Sequence, residues 1–219
     1  MTGRWVTVPP ERLAGWLDRF DSGHGGITGT AVDPHAVIVT AGDGAVAECR
    51  VPFPPLVVEE ADPYGGLVAH ALVERRVGVL LVRLGGHAAG VFAGTRLLIS
   101  KVGSRPVHGR SAAGGQSQQR FARRREGQAR VALAAAADVA AAILVPAAPT
   151  LDAVVLGGDR RAVDAVLADP RLAPLRPLVV EARIDVPDPR LKVLQGAPAF
   201  FRGVRLRITD GEYAPPLGG

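Results

Sequence analysis

The residues whose types and spacing suggest chemistry lie close together between positions 108 and 125. Gly114, Gly115 and Gln116 form a Gly-Gly-Gln tripeptide, and a cluster of arginines follows it. Two adjacent glycines allow backbone angles that other residues avoid, so the main chain can approach a ligand closely. The Gln116 side chain offers a carbonyl acceptor and an amide donor beside its own backbone N–H. Such a group can orient a water molecule without being consumed. In isolation, however, this tripeptide is far more often an ordinary flexible loop before a helix.

Positive charge is concentrated around this tripeptide. The chain of 219 residues has 26 Lys and Arg residues against 21 Asp and Glu residues, a formal net charge of +5. Residues 96–130 contain nine basic residues and one acidic residue, so this segment carries +8 and the rest of the chain −3. A segregated basic segment is typical of proteins that bind a phosphate backbone. A solvated helix face is an equally common reason for such a pattern, and charge alone leaves both interpretations open.

Local patterns predict the elements that must position the tripeptide. Residues 102–115 are rich in Gly, Pro and Ser and lack apolar periodicity, which predicts an exposed loop. One long helix is predicted from Ser117 to about Leu144, with one narrow apolar stripe formed by Phe121, Gln128, Ala132, Ala135, Val139 and Ile143. Apolar residues dominate its C-terminal half, whereas its first three turns are mostly Arg and Gln. We therefore expect the C-terminal half to dock and the N-terminal end to project with the loop.

The remaining patterns predict a mixed sheet with helices packed on it. An amphipathic helix opens at Pro9, and Gly42-Asp43-Gly44 predicts a hairpin between two strands. Further strands are expected within 77–84, 88–93, 95–102, 151–156 and 178–184, a helix at 160–168, and a strand or two within 191–208. These elements indicate an α/β fold, with α+β as the alternative. One domain is predicted over 1–219, with an N-terminal extension (1–76), a core carrying the loop and long helix (77–184), and C-terminal strands with a tail (185–219).

Composition narrows the class of protein. The apolar fraction of 47% suffices for a buried core and excludes a disordered chain. The single cysteine, Cys49, excludes an internal disulfide and a cysteine-based zinc module. No apolar segment follows the N-terminus, so no secretory signal is expected. The most apolar segment, 131–148, is interrupted by Asp138 and Pro146 and favours a buried helix over a membrane span. We predict a soluble, cytoplasmic protein.

Other residues that could carry chemistry favour structural roles. The five histidines lack metal-ligand spacing, and no metal site or cofactor is predicted. Four aspartates, Asp152, Asp159, Asp164 and Asp169, could suggest a metal-dependent nuclease, but their positions at strand ends and on a helix favour ordinary solvation. Trp5, Trp16 and Phe121 are interpreted as core or packing residues and not as rings that stack on nucleic-acid bases.

The wider motif resembles the catalytic region of archaeal and eukaryotic class 1 peptide chain release factors. The matching runs are His108-Gly109-Arg110, Gly114-Gly115-Gln116-Ser117 and Arg120-Phe121-Ala122-Arg123, with Arg125 following. Among relatives, the chain is most similar to a bacterial branch of the Vms-like release factor family, which is linked to ribosome rescue and quality control. The resemblance extends over most of residues 77–184.

The resemblance implies hydrolysis of the ester between a nascent peptide and its tRNA. Gly114, Gly115 and Gln116 would form the catalytic tip inside the peptidyl-transferase centre of the large ribosomal subunit. RNA-binding roles would then fall to His108, Arg110, Ser117, Arg120, Arg123, Arg124 and Arg125, with Lys101 and Arg105 on the approach to the loop. The expected partners are ribosomal RNA and peptidyl-tRNA, the expected state is a monomer, and stop codons would not be needed.

Two departures from the release-factor pattern affect this expectation. Ser111, Ala112 and Ala113 are inserted before the tripeptide, which lengthens the loop. The chain also has no room for a decoding domain or a GTPase-binding domain. Two alternatives stay open: a nuclease of the same family that cuts near the tRNA 3′ end, and a non-catalytic module that binds ribosomal RNA.

Overall fold

Ten strands form two five-stranded sheets within the described part of the chain, and each sheet belongs to its own unit. The computed structural model describes residues 3–83, 85–104, 117–186 and 188–211; within these, the side chains of residues 117–125 and of Ala182 are not described. The first unit combines residues 1–73 with residues 199–219, and the second unit consists of residues 74–198.

The first unit is built on an antiparallel sheet. Its strands are β1 (Arg4–Val8), β2 (Ile27–Val32), β3 (Ala36–Ala41), β4 (Val46–Arg50) and β10 (Val204–Thr209), in the spatial order β1-β10-β4-β3-β2. Strand β10 therefore comes from the far end of the sequence and lies between β1 and β4. Alternation along β10 buries Val204, Leu206 and Ile208 on one face of the sheet.

Two helices provide the apolar partners of that buried face. They are α1 (Pro10–Gly23) and α2 (Leu67–Leu72). Pro10 occupies the first turn of α1, where its missing N–H has no helical partner to lose. Leu13, Leu17 and Phe20 lie one turn apart and enter the core with the inward residues of β3, β4 and β10. Trp16 stacks on Phe20 with 5.5 Å between ring centroids, so its predicted packing role is confirmed.

The second unit is built on a mixed sheet. Its strands are β5 (Arg76–Arg83), β6 (Gly86–Ala93), β7 (Arg96–Ser104), β8 (Ala153–Gly158) and β9 (Val179–Ile184), in the order β7-β6-β5-β8-β9. The three strands β5, β6 and β7 form an antiparallel meander. Strands β8 and β9 then add in parallel beside β5. Parallel neighbours need crossover connections, and helices supply them.

Helices cover both faces of the mixed sheet. Helix α3 (Ser117–Leu144), helix α4 (Arg160–Leu167) and a 3₁₀ segment (Pro170–Leu178) share one core with the inward residues of β5, β6 and β8. On the other face α5 (Leu191–Gln195) reaches Gly90 of β6, where an added Cβ would lie 3.1 Å from Cδ2 of Leu194. A short helix α6 (Pro198–Phe201) precedes β10.

Most of the predicted elements are present. The mixed sheet with flanking helices is confirmed, as are the hairpin of β3 and β4 and the long helix from Ser117 to Leu144. The sequence patterns did not predict β1, β2 or the 3₁₀ segment. Strand β2 was missed because it contains a glycine and is exposed on both faces. Within residues 191–208 one strand is present, β10, as predicted, and two short helices that were not predicted precede it.

The division into two units differs from the predicted single domain with an N-terminal extension. Two separate apolar cores form, because residues 204–209 pair with the N-terminal strands and not with the mixed sheet. That all 219 residues act as one catalytic domain stays a prediction.

One segment of the described chain has the length and composition of a membrane-spanning helix. This segment, Glu126–Leu144, is the C-terminal part of α3. Ala136, Ala140 and Leu144 are almost completely buried in the core of the second unit. Apolar residues of this segment thus pack against the sheet, as expected for the buried helix that the sequence predicted.

Two glycines of the second unit should respond in opposite directions to alanine. Gly158 has φ +95°, and an added Cβ would collide with the backbone oxygen of Val82 on β5. We expect Gly158→Ala to lower the free energy of unfolding by about 2 kcal/mol or more. The matched control is Gly127→Ala on α3, where no neighbouring atom lies within 4 Å. It should raise stability by about 0.5–1 kcal/mol. Urea titrations followed by circular dichroism measure the stability of both variants. Unfolding midpoints that move in the same direction would contradict the prediction that only Gly158 requires the absence of a Cβ.

Candidate functional site

The Gly-Gly-Gln tripeptide belongs to the segment that joins β7 to α3. Strand β7 ends at Ser104 and helix α3 begins at Ser117. The predicted site residues Arg105, His108, Arg110, Gly114, Gly115 and Gln116 lie outside the described residues. We call residues 105–130 the arm; they comprise this connecting segment and the first turns of α3. The structure describes the elements that hold both ends of the arm.

The remaining predicted RNA-binding residues lie on those two elements. Ser117, Arg120, Arg123, Arg124 and Arg125 all belong to the first turns of α3, as the pattern predicted, and their side chains lie outside the described part. Lys101 is exposed on β7, three residues before the strand ends. One strand and one helix thus carry these basic residues on both sides of the tripeptide. Their contact with RNA stays a prediction.

The C-terminal half of α3 packs on the sheet through small residues. Its buried face consists of Ala132, Ala136, Ala137, Val139, Ala140, Ile143 and Leu144, and it meets Ala89 and Val91 of β6 and Leu80 of β5. Alanine on both surfaces allows the helix backbone to approach the strands closely, because interaxial distance depends on side-chain size. The predicted stripe was right at Ala132, Val139 and Ile143, but its centre is Ala136 and Ala140, and Ala135 is half-buried. Phe121 lies outside the described side chains.

A glycine–histidine contact holds the strand at the other end of the arm. His87 of β6 is 5% exposed and lies opposite Gly103 of β7. A Cβ on Gly103 would lie 2.8 Å from Cε1 of the His87 ring, so any larger residue there would force the ring to shift. The two residues form one of the last pairs of the hairpin before the arm begins. Of the two roles that the sequence left open for His87, surface or structural, its burial supports the structural one. Its pairing with Gly103 has no local sequence signal.

An ionic network links α3 to the 3₁₀ segment beside it. Arg171 donates from Nη1 to Oδ1 of Asp138 on α3 at 2.8 Å and from Nη2 to Oδ2 of Asp169 at 2.7 Å. Hydrogen bonds from Arg171 lower the pKa of Asp169 to about 2, so this carboxylate is ionised throughout the neutral range. The network is solvent-exposed, and exposed ion pairs contribute little free energy. It orients the neighbouring elements more than it stabilises them.

The four aspartates that could have suggested a nuclease all make structural hydrogen bonds. Asp159 caps α4 by accepting from the Ala162 N–H at 2.8 Å, and Asp152 accepts from the Arg76 N–H at 2.6 Å. Asp164 pairs with Arg183 at 2.9 Å, while Asp169 pairs with Arg171. Across the described residues, no group of three His, Cys, Asp or Glu side chains is placed to hold a metal ion. These carboxylates are therefore accounted for by capping, strand-end bonding and ion pairs.

The lone cysteine is placed where it cannot readily react. Cys49 of β4 is fully buried in the core of the first unit. Burial, with a smaller effect of the Glu48 charge, raises the pKa of its thiol to about 12. The thiolate, which is the nucleophilic form, is therefore scarce at neutral pH. Cys49 acts as a small apolar side chain and takes no part in the site.

Comparison with known proteins places this arrangement among release factors. The family model described as "Actinobacteria/chloroflexi VLRF1 release factor" matches residues 75–207, which is more than half of the chain. No curated protein sequence gives a significant match.

Three solved structures match part of the chain at low sequence identity. An archaeal translation termination factor, aRF1, is 16% identical, and the match covers 75% of this chain and 51% of that chain at a TM-score of 0.41. A chain titled "Archaeal protein" is 17% identical over 75% and 52%, at 0.37. The Vms1 mitochondrial localization core is 10% identical over 77% and 74%, at 0.47. The chain thus spans about half the length of the two archaeal chains.

The class to which this protein belongs is therefore that of release factors. Within that class, the chain belongs to the VLRF1 release factor family of Actinobacteria and Chloroflexi. The matched residues begin at the start of β5, run through the arm and the mixed sheet, and end within β10. The family that the sequence motif predicted is confirmed.

Close packing of α3 on the sheet should be sensitive to side-chain size. Ala140 is fully buried between α3 and the sheet, so Ala140→Leu should lower the free energy of unfolding by about 1–3 kcal/mol through overpacking. Ala142 is exposed on the same helix, and Ala142→Leu should change stability by no more than about 0.5 kcal/mol. Thermal unfolding of the two variants measures the difference. Equal effects would show that α3 is not docked by this face.

Proposed function

We propose that this protein hydrolyses the ester bond of peptidyl-tRNA on the ribosome and releases nascent chains from stalled complexes without a stop codon. The observation that carries the proposal is Gly114-Gly115-Gln116, followed at release-factor spacing by Arg120-Phe121-Ala122-Arg123, in a chain of a release-factor family. The proposed setting is the cytoplasm, where a monomer would bind the large ribosomal subunit at its peptidyl-transferase centre.

In the proposed reaction a water molecule attacks the carbonyl carbon of the ester. The tetrahedral intermediate then collapses, the bond to the 3′ oxygen of the tRNA breaks, and that oxygen takes up the proton that the water has lost. The products are a tRNA with an intact 3′ hydroxyl and a free peptide, whose carboxylic acid releases the second proton of the water to solvent and becomes a carboxylate. The difficult points are the placement of the water and the negative charge that develops on oxygen.

Gln116 has groups for both tasks. Its backbone N–H can donate to the developing oxyanion or to the leaving 3′ oxygen, and one such donor contributes roughly 10²- to 10³-fold in rate. Its side-chain carbonyl can accept from the attacking water and so fix the direction of attack. A neutral amide suits this position, because it positions the water without itself gaining or losing a proton. Gly114 and Gly115 provide a main chain without Cβ atoms at the point of closest approach.

The charge of the arm supports an RNA environment for this chemistry. The arm has seven basic residues, all arginines, and one acidic residue, an excess of six positive charges. The planar guanidinium group can bind a phosphate through two hydrogen bonds, which fixes orientation as well as affinity. The docked half of α3 and the β6–β7 hairpin give the arm two fixed ends. Such a support suits a loop that must reach into a site made mainly of RNA.

The central test compares two glutamines of the same segment. Gln116→Ala should slow peptide release from stalled ribosome–nascent-chain complexes by roughly 10²-fold or more, because the water loses its positioning group. The matched control is Gln118→Ala, the same chemical change two residues away in α3. It should release peptide at the wild-type rate. Gel analysis of the peptidyl-tRNA measures peptide and tRNA separately.

The tRNA product distinguishes the alternatives in the same experiment. Free peptide with intact tRNA supports ester hydrolysis. A tRNA shortened at its 3′ end would instead identify a nuclease. Release by Gln116→Ala at the wild-type rate would overturn the role of the tripeptide, and no release by the wild type would favour a non-catalytic binding module.

A second test addresses the arm arginines. Arg123→Glu with Arg124→Glu should weaken ribosome binding and lower the slope of log affinity against log salt by roughly 1–2, because about two phosphate contacts are lost. The control, Arg160→Glu with Arg161→Glu, reverses two adjacent exposed arginines of α4 in the same unit. Sedimentation with ribosomes over a salt series measures both. Equal losses in the two double variants would indicate a general charge effect and contradict a specific role of the arm.

A further inference from the structure

The antiparallel sheet of the first unit has one face that no described helix of that unit covers. Its opposite face packs on α1 and α2, whereas the outward residues of β1, β10, β4 and β3 lie on this uncovered side. The strand register brings these outward residues into two rows across the sheet. The first row is Trp5, Arg207, Glu48 and Ile38, and the second row is Thr7, Arg205, Arg50 and Ala36. We call these two rows the open face.

Positive charge dominates the open face. Glu48 accepts from Nη2 of Arg50 at 2.7 Å and from Nη2 of Arg207 at 2.6 Å, so one carboxylate is shared by two guanidinium groups. Arg205 lies directly opposite Arg50, and like charges in that position are unfavourable. Within the described part of the chain, no carboxylate pairs with Arg205. Three arginines against one glutamate leave this face with an excess of two positive charges.

An exposed aromatic ring lies beside these arginines. Trp5 is 45% exposed, and the guanidinium carbon of Arg205 lies 4.9 Å from its ring centroid, with that of Arg207 at 6.0 Å. These cation–π contacts hold both guanidinium groups over the sheet. Of the predicted core or packing role, Trp5 therefore has the packing role only, against the arginines of the sheet surface. The proposal below departs from the expectation that Trp5 does not stack on bases. Its neighbours on β1, Val6 and Val8, point to the core, and alternation directs Trp5 outward.

Guanidinium groups and an exposed aromatic ring on an uncovered sheet are the components of a site for unpaired nucleic acid. Arginine binds phosphate groups, and an aromatic ring stacks on a base whatever its identity. A duplex keeps its bases stacked inside, so a Trp ring on a flat sheet favours a single strand. Because the family belongs to translation, RNA is the nucleic acid to which this chemistry points.

We propose that the open face binds single-stranded RNA, with the arginines of β4 and β10 on the phosphates and Trp5 stacked on a base. Trp5 and Arg50 lie outside the residues matched by the family model. The site lies in a different unit from the arm and does not rest on the hydrolysis proposed above. The Gln116→Ala variant should therefore bind RNA at the open face as the wild type does.

Charge reversal on two sheet faces tests the proposal with the full chain. The probe is a short labelled uridine oligomer, and fluorescence anisotropy gives its affinity. Arg205→Glu with Arg207→Glu should weaken binding by roughly tenfold and reduce the salt slope by about 1–2. The matched control, Arg12→Glu with Arg19→Glu, reverses two exposed arginines of α1 on the opposite side of the same sheet. It should change affinity less than twofold.

Trp5 itself provides an optical readout. The chain has two tryptophans, so in a Trp16→Phe background the emission comes from Trp5 alone. If Trp5 stacks on a base, the uridine oligomer should quench this emission, whereas inorganic phosphate and a DNA duplex should not. Equal quenching by single-stranded DNA would overturn the choice of RNA as the ligand. The gentler Arg205→Gln with Arg207→Gln pair serves if the reversed variant fails to fold.

Three outcomes would overturn the proposal. The first is an equal loss of affinity in the two double variants, since the effect would then be one of net charge. The second is RNA binding without any change in Trp5 emission. The third is a concentration-dependent dimer that the Trp5→Ala substitution dissociates without changing the affinity for RNA. The open face would then be an interface between two copies of the chain.

Discussion

Close packing of alanines between α3 and the mixed sheet is the constraint on which the arm depends. A helix of 28 residues is about 42 Å long, and its buried residues belong to its C-terminal half. Ala132, Ala136 and Ala140 recur at intervals of four, so the helix presents a flat surface to the equally small Ala89 of β6. The docked half shares the core of the unit. The first turns of the same helix therefore extend from a support that is itself part of the core.

The distribution of charge follows from that division of the helix. A guanidinium group buried without a partner would cost several kcal/mol, so arginines are excluded from the docked half. They are concentrated in the first turns, where Arg123, Arg124 and Arg125 are consecutive. Adjacent like charges repel one another, and a polyanion relieves that repulsion. In the function proposed above, this basic helix end would attract RNA phosphates, and the Gly-Gly-Gln tripeptide beside it would supply a neutral group that directs water.

The first unit shows a related arrangement on a sheet. Arg205 and Arg50 lie opposite each other on neighbouring strands, and Glu48 pairs with Arg50 and Arg207, so its single negative charge offsets only one of the three positive charges on that face. The ring of Trp5 stabilises the cations through its π face, which does not neutralise their charge. A sheet that only had to be stable would be served better by opposite charges at these positions. The retained excess of charge is the physical reason to expect an anionic ligand there.

Much of the second unit could be predicted from local sequence. The long helix from Ser117 to Leu144 follows from its composition and from the glycines before it, and the strands of the mixed sheet follow from short apolar runs between turn residues. The motif around Gln116 was sufficient to indicate the family, because its residues are contiguous in the chain. The predicted apolar stripe of α3 was nearly right because helical periodicity is local; it missed Ala136 and Ala140, since alanines surround every position in that half of the helix.

What local sequence could not determine depends on strand register and on pairing between distant segments. A β-bulge in β7 near Leu98 shifts the pairing with β6, and that shift places Gly103 against His87 at the base of the arm. Residues 204–209 complete the sheet of the first unit although they follow the second unit in the chain. This pairing gives the first unit a core of its own, separate from that of the second unit. It also brings Trp5 and Arg50 beside Arg205 and Arg207. The sequence by itself determined the family, because the motif that indicates it is contiguous in the chain. The chemistry proposed for the arm is read from the same motif. Only the tertiary structure decided which distant side chains share a face, because that depends on hydrogen-bond register, which no local window of residues contains.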